Sequence, residues 1–172
     1  STSIGGDGNI MFDVKHDSST KYLTHRDVSM SGKLRPIVCI SGKDGDSAKV
    51  QVKAVCKINE TGEKYSSIEA AIAECNKETA QTITLFEDIK KDTITIGADK
   101  KVNLNLNGKN ITSTIENNGS LIISGEGNIT ASQNPTISLS EGSSLEIKGG
   151  TINNENKNRT PTIYGTSSST VN

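Results

Sequence analysis

Val102-Asn103-Leu104-Asn105-Leu106-Asn107-Gly108-Lys109-Asn110-Ile111 decides the fold, because the chain returns to its pattern twice more. The echoes are Leu121-Ile122-Ile123-Ser124-Gly125-Glu126-Gly127-Asn128-Ile129 and Leu145-Glu146-Ile147-Lys148-Gly149-Gly150-Thr151-Ile152. The last apolar residues fall at 111, 129 and 152, steps of 18 and 23 residues. A second line of repetition runs beside the first. Pro135-Thr136-Ile137 returns as Pro161-Thr162-Ile163, and ten residues after each Pro stands the next apolar strand position, Leu145 and Val171.

Units this short carry two or three small strands each and cannot enclose a core alone. Stacked coil on coil, their backbones pair in parallel about 4.8 Å apart and their inward aliphatics form columns. The motif alignment places Leu104, Leu106 and Ile111 beneath Leu121, Ile123 and Ile129, then Leu145, Ile147 and Ile152. The chain must bend within one or two residues at each corner, which favours Gly or Asn. Gly108, Gly125 or Gly127, and Gly149-Gly150 stand where that demand falls. Asn103, Asn105 and Asn107 then face outward, as solvated polar groups or amide ladders. An antiparallel sandwich does not explain a similar motif in every unit. Leucine-rich repeats need Asn at one fixed internal position. The fold class expected is all-β, a right-handed parallel β-helix of about three to four coils.

Working towards the N-terminus, Thr82–Ile89 and Thr93–Ile96 read as short strands. Before them lies one amphipathic helix, Ser67 to about Lys77, with Ser66 as N-cap and Glu69 completing a capping box. Ile68, Ala71, Ile72 and Cys75 fall at helical spacing and give it one apolar face. A stacked coil exposes strand edges and an apolar cross-section at its ends, so this helix is expected to cap the first coil. Asn59-Glu60-Thr61-Gly62-Glu63 marks a boundary, dividing the chain into residues 1–58 and 59–172. Residues 1–58 read as a small antiparallel β domain or sheet extension, with strands at Ile10–Lys15, Lys21–Ser29, Pro36–Ser41 and Lys49–Ile58. The chain opens at Ser1 and stops at Asn172 in mid-strand, so a longer parent protein is expected on both sides.

Composition narrows the function classes. The 19 basic and 20 acidic residues are scattered, so no basic face favours nucleic acid. Aromatics make up 3% of the 172 residues and Trp is absent, which leaves few stacking platforms for sugars or bases. The apolar fraction is 31%, lean for a globular domain and suited to a thin aliphatic core. Cys39, Cys56 and Cys75 are widely spaced without CxxC, so they read as three small buried hydrophobes or as a Cys39–Cys56 bridge with Cys75 free. No signal peptide or membrane-spanning stretch is visible.

The run Lys64-Tyr65-Ser66-Ser67-Ile68-Glu69-Ala70-Ala71-Ile72, then Thr82-Ile83-Thr84-Leu85-Phe86-Glu87-Asp88-Ile89, then the Val102–Ile111 motif resembles a known pattern. It is similar to the opening of pectate-lyase-like β-helix regions in secreted or cell-surface, adhesin-like bacterial proteins, over residues 64–172. The resemblance implies an extracellular repeat scaffold; it names no ligand, since the same fold also hosts lyases and hydrolases. Residues 1–58 carry no such likeness.

Enzymes similar in fold cleave acidic polysaccharides with clustered Asp and often an Arg. From Lys100 to Asn172 there is no Asp; Glu116, Glu126, Glu141, Glu146 and Glu155 recur at no common place, so they read as scattered charges or, at most, as a carboxylate pair built from two of them, and Arg159 stands alone. His16 and His25, with Asp13, Asp17 or Asp27 nearby, are either surface residues or a metal site. Asp44-Gly45-Asp46 is either a hairpin turn or a fragment of a calcium loop without its other ligands. Asn59, Asn110, Asn118, Asn128 and Asn158 begin N-x-S/T triplets, frequent by chance in such a composition.

The expectation is therefore a non-enzymatic structural or adhesion module of a larger bacterial surface or secreted protein. It has no catalytic, cofactor-binding or metal site and no cofactor. Partners would be host or cell-wall glycans or proteins, met outside the cell on the side carrying Ser132–Asn134 and Asn153–Thr160. Nucleic-acid binding and a membrane span are not expected, and the isolated chain should be a monomer. The competing readings are a polysaccharide lyase or hydrolase fragment with its catalytic coils elsewhere, and a phage or pilus fibre.

Overall fold

The computed structural model describes residues 10–16, 19–25, 47–49, 53–132, 135–156 and 161–172. Near the start, β1 (Ile10–His16), β2 (Ser19–His25) and β3 (Ser47–Lys49) form an antiparallel sheet in the order β2-β1-β3. This is the small antiparallel region expected from the sequence. The predicted strand Pro36–Ser41 lies outside the described residues.

The rest of the described chain is a parallel β-solenoid of about four turns. It opens with β4 (Cys56–Ile58), β5 (Lys64–Tyr65) and α1 (Ile68–Glu74). The first coil contains β6 (Gln81–Leu85) and β7 (Ile89–Ile96), the second β8 (Lys101–Asn105) and β9 (Lys109–Asn117). The third contains β10 (Ser120–Ser124), β11 (Gly127–Ala131) and β12 (Ile137–Leu139). The fourth contains β13 (Ser144–Ile147), β14 (Thr151–Asn154) and β15 (Ile163–Gly165), and β16 (Thr170–Val171) follows.

Parallel register builds the columns. Val102 pairs with Leu121 and Leu121 with Leu145, which in turn pairs with Val171. Ile83, Leu104, Ile123 and Ile147 form the neighbouring column. On the next face Ile89, Ile111, Ile129 and Ile152 stack, and beyond the bend Ile94, Ile115, Ile137 and Ile163 do the same. Most of these side chains are at or near zero exposure in the first three coils. Each such aliphatic contributes about 1.5–3 kcal/mol of transfer free energy, and the shared column is why no coil is stable alone.

One alignment read from the sequence is corrected. Leu121 stands above Val102, not Leu104, and Ile123 stands above Leu104, not Leu106. The reason lies in the corner, whose length differs from coil to coil: Leu104 to Ile111, Ile123 to Ile129 and Ile147 to Ile152 are equivalent spans. Leu106 is not a strand residue; it is fully buried at the corner. The two coils above make room with glycine. A Cβ on Gly127 (φ 137°) would meet the Lys109 carbonyl and Leu106 Cβ, and one on Gly150 (φ 79°) would meet Leu106 Cδ1. Just beyond Leu106, Asn107 (φ 51°) and Gly108 (φ 75°) both take left-handed conformations, closed by the Lys109 amide donating to the Leu106 carbonyl at 2.9 Å.

The N-terminal end is covered twice over. Cys56–Ile58 was expected to end a strand of the leading region; instead it pairs antiparallel with β6, Cys56 opposite Leu85 and Ile58 opposite Ile83. It thereby satisfies the free edge of the first coil. Helix α1 packs against β4, β5 and β7 with Ile68, Ala71, Ile72 and Cys75 buried, the face anticipated. Its N-cap is Ser67, not Ser66: the Ser67 hydroxyl accepts from the Ala70 amide at 3.2 Å. Glu69 is therefore one position too early to close a capping box and instead pairs with Lys91 at 3.1 Å. At the other end Lys100 Nζ donates to the Ala73 and Cys75 carbonyls at 2.9 and 2.8 Å, tying the cap to the corner of the second coil.

Candidate functional site

The outward faces are polar and cross-linked between coils. Asn103 Nδ2 donates to Thr82 Oγ1 at 3.3 Å, and Ser124 Oγ donates to Asn103 Oδ1 at 2.8 Å. Asn128 Nδ2 donates to Asn110 Oδ1 at 2.7 Å, while the Asn110 amide donates to Asp88 at 2.8 Å. Of the three Asn expected to face outward, Asn103 forms such a ladder, whereas Asn105 accepts from the Asn107 amide at 3.0 Å and Asn107 donates to the Leu85 carbonyl at 2.9 Å. Buried polar side chains also serve the backbone, Asn117 and Thr136 reaching furthest along the chain. Asn117 donates to the Ser144 carbonyl at 2.8 Å, and Thr136 donates to the Asn153 carbonyl at 2.7 Å. No buried side-chain N or O among the described residues lacks a partner.

Variation in length concentrates at one corner, the bend that follows the second face. Equivalent positions there run from Lys90 to Thr93 in the first coil and from Thr112 to Thr114 in the second. They run from Thr130 to Thr136 in the third and from Asn153 to Thr162 in the fourth. Of the segments read from the sequence as a binding side, Ser132–Asn134 and Asn153–Thr160, the described residues 132 and 153–156 fall at this corner; residues 133–134 and 157–160 lie outside the described residues.

A groove of about 570 Å³ lies at this corner, lined by Lys90, Lys91, Asp92, Thr112, Ser113, Thr114, Ala131 and Ser132. It owes its shape to a bulge. Between Lys90 and Thr93 the first coil carries one residue more than the second, where Ser113 alone spans the bend. A bulge bends the strand and re-aims its side chains, and Lys91 and Asp92 stand exposed on it. The floor is small: Ser113 and Ala131 are buried, with the Ser113 hydroxyl donating to the Thr114 carbonyl at 2.9 Å. Lys91 is held by Glu69 of the cap, whereas Lys90 and Asp92 have no side-chain partner among the described residues. The bulge itself had no signal in the repeat pattern, because only pairing with the next coil reveals the extra residue.

The other sequence candidates separate. In the β1–β2 ladder His16 pairs with Ser19 at one end, while His25 pairs with Ile10 at the other. Six strand positions at about 3.3 Å each keep the two histidines apart. Asp44-Gly45-Asp46, Asp17, Asp27, Cys39, Asn158 and Arg159 lie outside the described residues. Glu116 faces Thr95 and Ser138 on one side of the solenoid, and Glu146 pairs with Lys148 on another. Glu126, Glu141 and Glu155 fall outside the strands. No group of three His, Cys, Asp or Glu suited to a metal occurs among the described residues.

Cys56 and Cys75 are free, buried thiols within the cap. Burial, reinforced by Glu69 and Cys75, pushes Cys56 up to about 12. Burial likewise raises Cys75 to about 11, although Lys100 pulls it down. A thiol so raised is a poor nucleophile at neutral pH. Tyr65 is pushed up to about 12 by burial and by donating to Glu63 at 3.1 Å.

Fold and corner together define a capped parallel β-solenoid with a bulged, hydroxyl-lined groove. The chain matches no family model, no curated protein and no solved structure. No described helix is long and apolar enough to cross a membrane.

Proposed function

We propose that the chain is a non-enzymatic structural and adhesion module of a larger bacterial surface or secreted protein, of the pectate-lyase-like β-helix kind. The observation that carries this reading is the division of labour around the coil. Coil-to-coil ladders such as Thr82–Asn103–Ser124 stiffen one side, while the widest range of loop length falls at the corner holding the groove. A rigid body whose longest loops share one corner suits presentation of a binding face, since ligand-contacting residues gather on loops held by a rigid scaffold. The scattered Glu residues support binding without turnover, because glycoside cleavage needs two carboxylates about 5–10 Å apart across the scissile bond. Partners would be host or cell-wall glycans or proteins, met outside the cell.

The test is to immobilise the chain on beads and measure attachment to bacterial cell-wall preparations and to host-cell surfaces. The same preparations are assayed for new reducing ends and unsaturated uronates. Saturable attachment without released product is expected. Depolymerisation by the purified chain, or no attachment to any surface, would overturn the reading.

A further inference from the structure

Resting on that reading of the corner as a ligand face, we propose that the groove over the β7 bulge binds a neutral oligosaccharide through a matched pair of opposite charges. The inference follows from the inventory of its walls. Lys90 offers only donors and Asp92 only acceptors, while the hydroxyls of Thr112, Thr114 and Ser132 offer both. Ser113 is already engaged with the Thr114 carbonyl. Ala131 is the one apolar side chain, and no aromatic ring lines the groove among the described residues.

Charge decides between ligand classes. Glu69 neutralises Lys91, which leaves Lys90 and Asp92, among the described residues, as a cation and an anion without a side-chain partner on the same coil. An acidic chain drawn to Lys90 would meet Asp92, and a cationic ligand would meet the reverse conflict. A sugar hydroxyl donates and accepts at once, so adjacent hydroxyls satisfy Asp92 and Lys90 together without leaving either charge opposed. A volume of about 570 Å³ lies within the usual range for small-ligand sites and suits about two or three sugar rings. Without a stacking ring the affinity of one site is low, with Kd on the order of 1 mM, and firm attachment then requires many copies on a surface.

The experiment follows the amide resonances of the isotopically labelled whole chain during titration with chitotriose, cellotriose and maltotriose, and separately with trigalacturonate. At least one neutral trisaccharide should shift residues 90–93 and 112–114. Lys90→Ala and Asp92→Ala should each weaken that binding about tenfold, whereas Glu141→Ala, outside the groove, should not. Shifts that map elsewhere, equal or tighter binding of trigalacturonate, or no neutral binding up to about 20 mM would overturn the proposal. The attachment assay separates the two readings. Attachment retained by the Lys90→Ala/Asp92→Ala double variant removes the groove and leaves the adhesion module standing. Sugar binding by a chain that attaches to no surface does the opposite.

Discussion

Leu106 Cδ1 lies 2.8 Å from the point that a Cβ on Gly150 would occupy, although Gly150 belongs to a coil two turns further along the stack. One leucine therefore reaches up the corner and sets the residue allowed at a position distant in sequence. Gly150→Ala should destabilise the chain by about 2–3 kcal/mol, combining left-handed backbone strain with displacement of the leucine. Gly108→Ala, at a similar φ with nothing nearby, should cost only about 1 kcal/mol. Denaturant titration checks both. Adding Leu106→Ala to Gly150→Ala should give a loss smaller than the sum of the two singles, because the first change opens the space that the second needs. Strict additivity would contradict the contact.

The cap depends on a lysine that does not belong to it. Lys100 closes the last carbonyls of α1 from the corner of the second coil, and its side chain is 19% exposed. Lys100→Ala should cost about 1–3 kcal/mol, while Lys101→Ala, exposed beside it, should cost less than about 0.5 kcal/mol. Hydrogen exchange should show the loss first in residues 68–75. Ile72→Asp, which drives a charge under the helix, should weaken the whole stack and raise aggregation, as measured by light scattering.

Asn117 interrupts an inward column between Ile96 and Leu139, yet it is completely buried. Its amide serves the Ser144 carbonyl and its oxygen accepts from the Gly119 amide at 3.1 Å, so the side chain holds the turn into the next coil. Asn117→Ala would strand both backbone groups and should cost about 2–4 kcal/mol. Asn128→Ala removes an exposed rung of the outer ladder and should change stability by no more than about 0.5 kcal/mol. Thermal melts of the two variants distinguish a structural asparagine from a solvated one.

Alkaline pH should unfold the cap. Cys56 and Cys75 are acids whose folded values, about 12 and about 11, lie above those of an exposed thiol. Folding thus favours their neutral forms, and that contribution is fully present below about pH 8.5. It fades as the pH climbs through 9 towards the folded values, because the unfolded chain gains stability by releasing the protons. The melting temperature should fall steadily between about pH 9 and 11, and Cys56→Ala, less stable at neutral pH, should show a shallower fall. Neither thiol should react with an aromatic disulfide reagent at pH 8 until the cap opens.

Much of the stack was legible because a repeat fold writes its columns directly into the chain. Ile111, Ile129 and Ile152 pair as the repeat implies, as do Ile137 with Ile163 and Leu145 with Val171. The apolar stripe of α1 was equally plain, since helical spacing is local. The corner residues were harder to place. Leu106 has the spacing of a strand residue, and only the neighbouring coils show that it fills a bend opposite glycine.

By itself, then, the amino-acid order determined which residues face inward, because alternation and spacing are properties of a single strand or helix. Tertiary structure alone decided the register of Val102 with Leu121, the recruitment of Cys56–Ile58 to the first coil, and the extra residue that lifts Lys91 and Asp92 beside the groove. Each of these is a relation between coils. It is set by backbone hydrogen bonds and side-chain volumes that meet across the stack, and no local pattern encodes them.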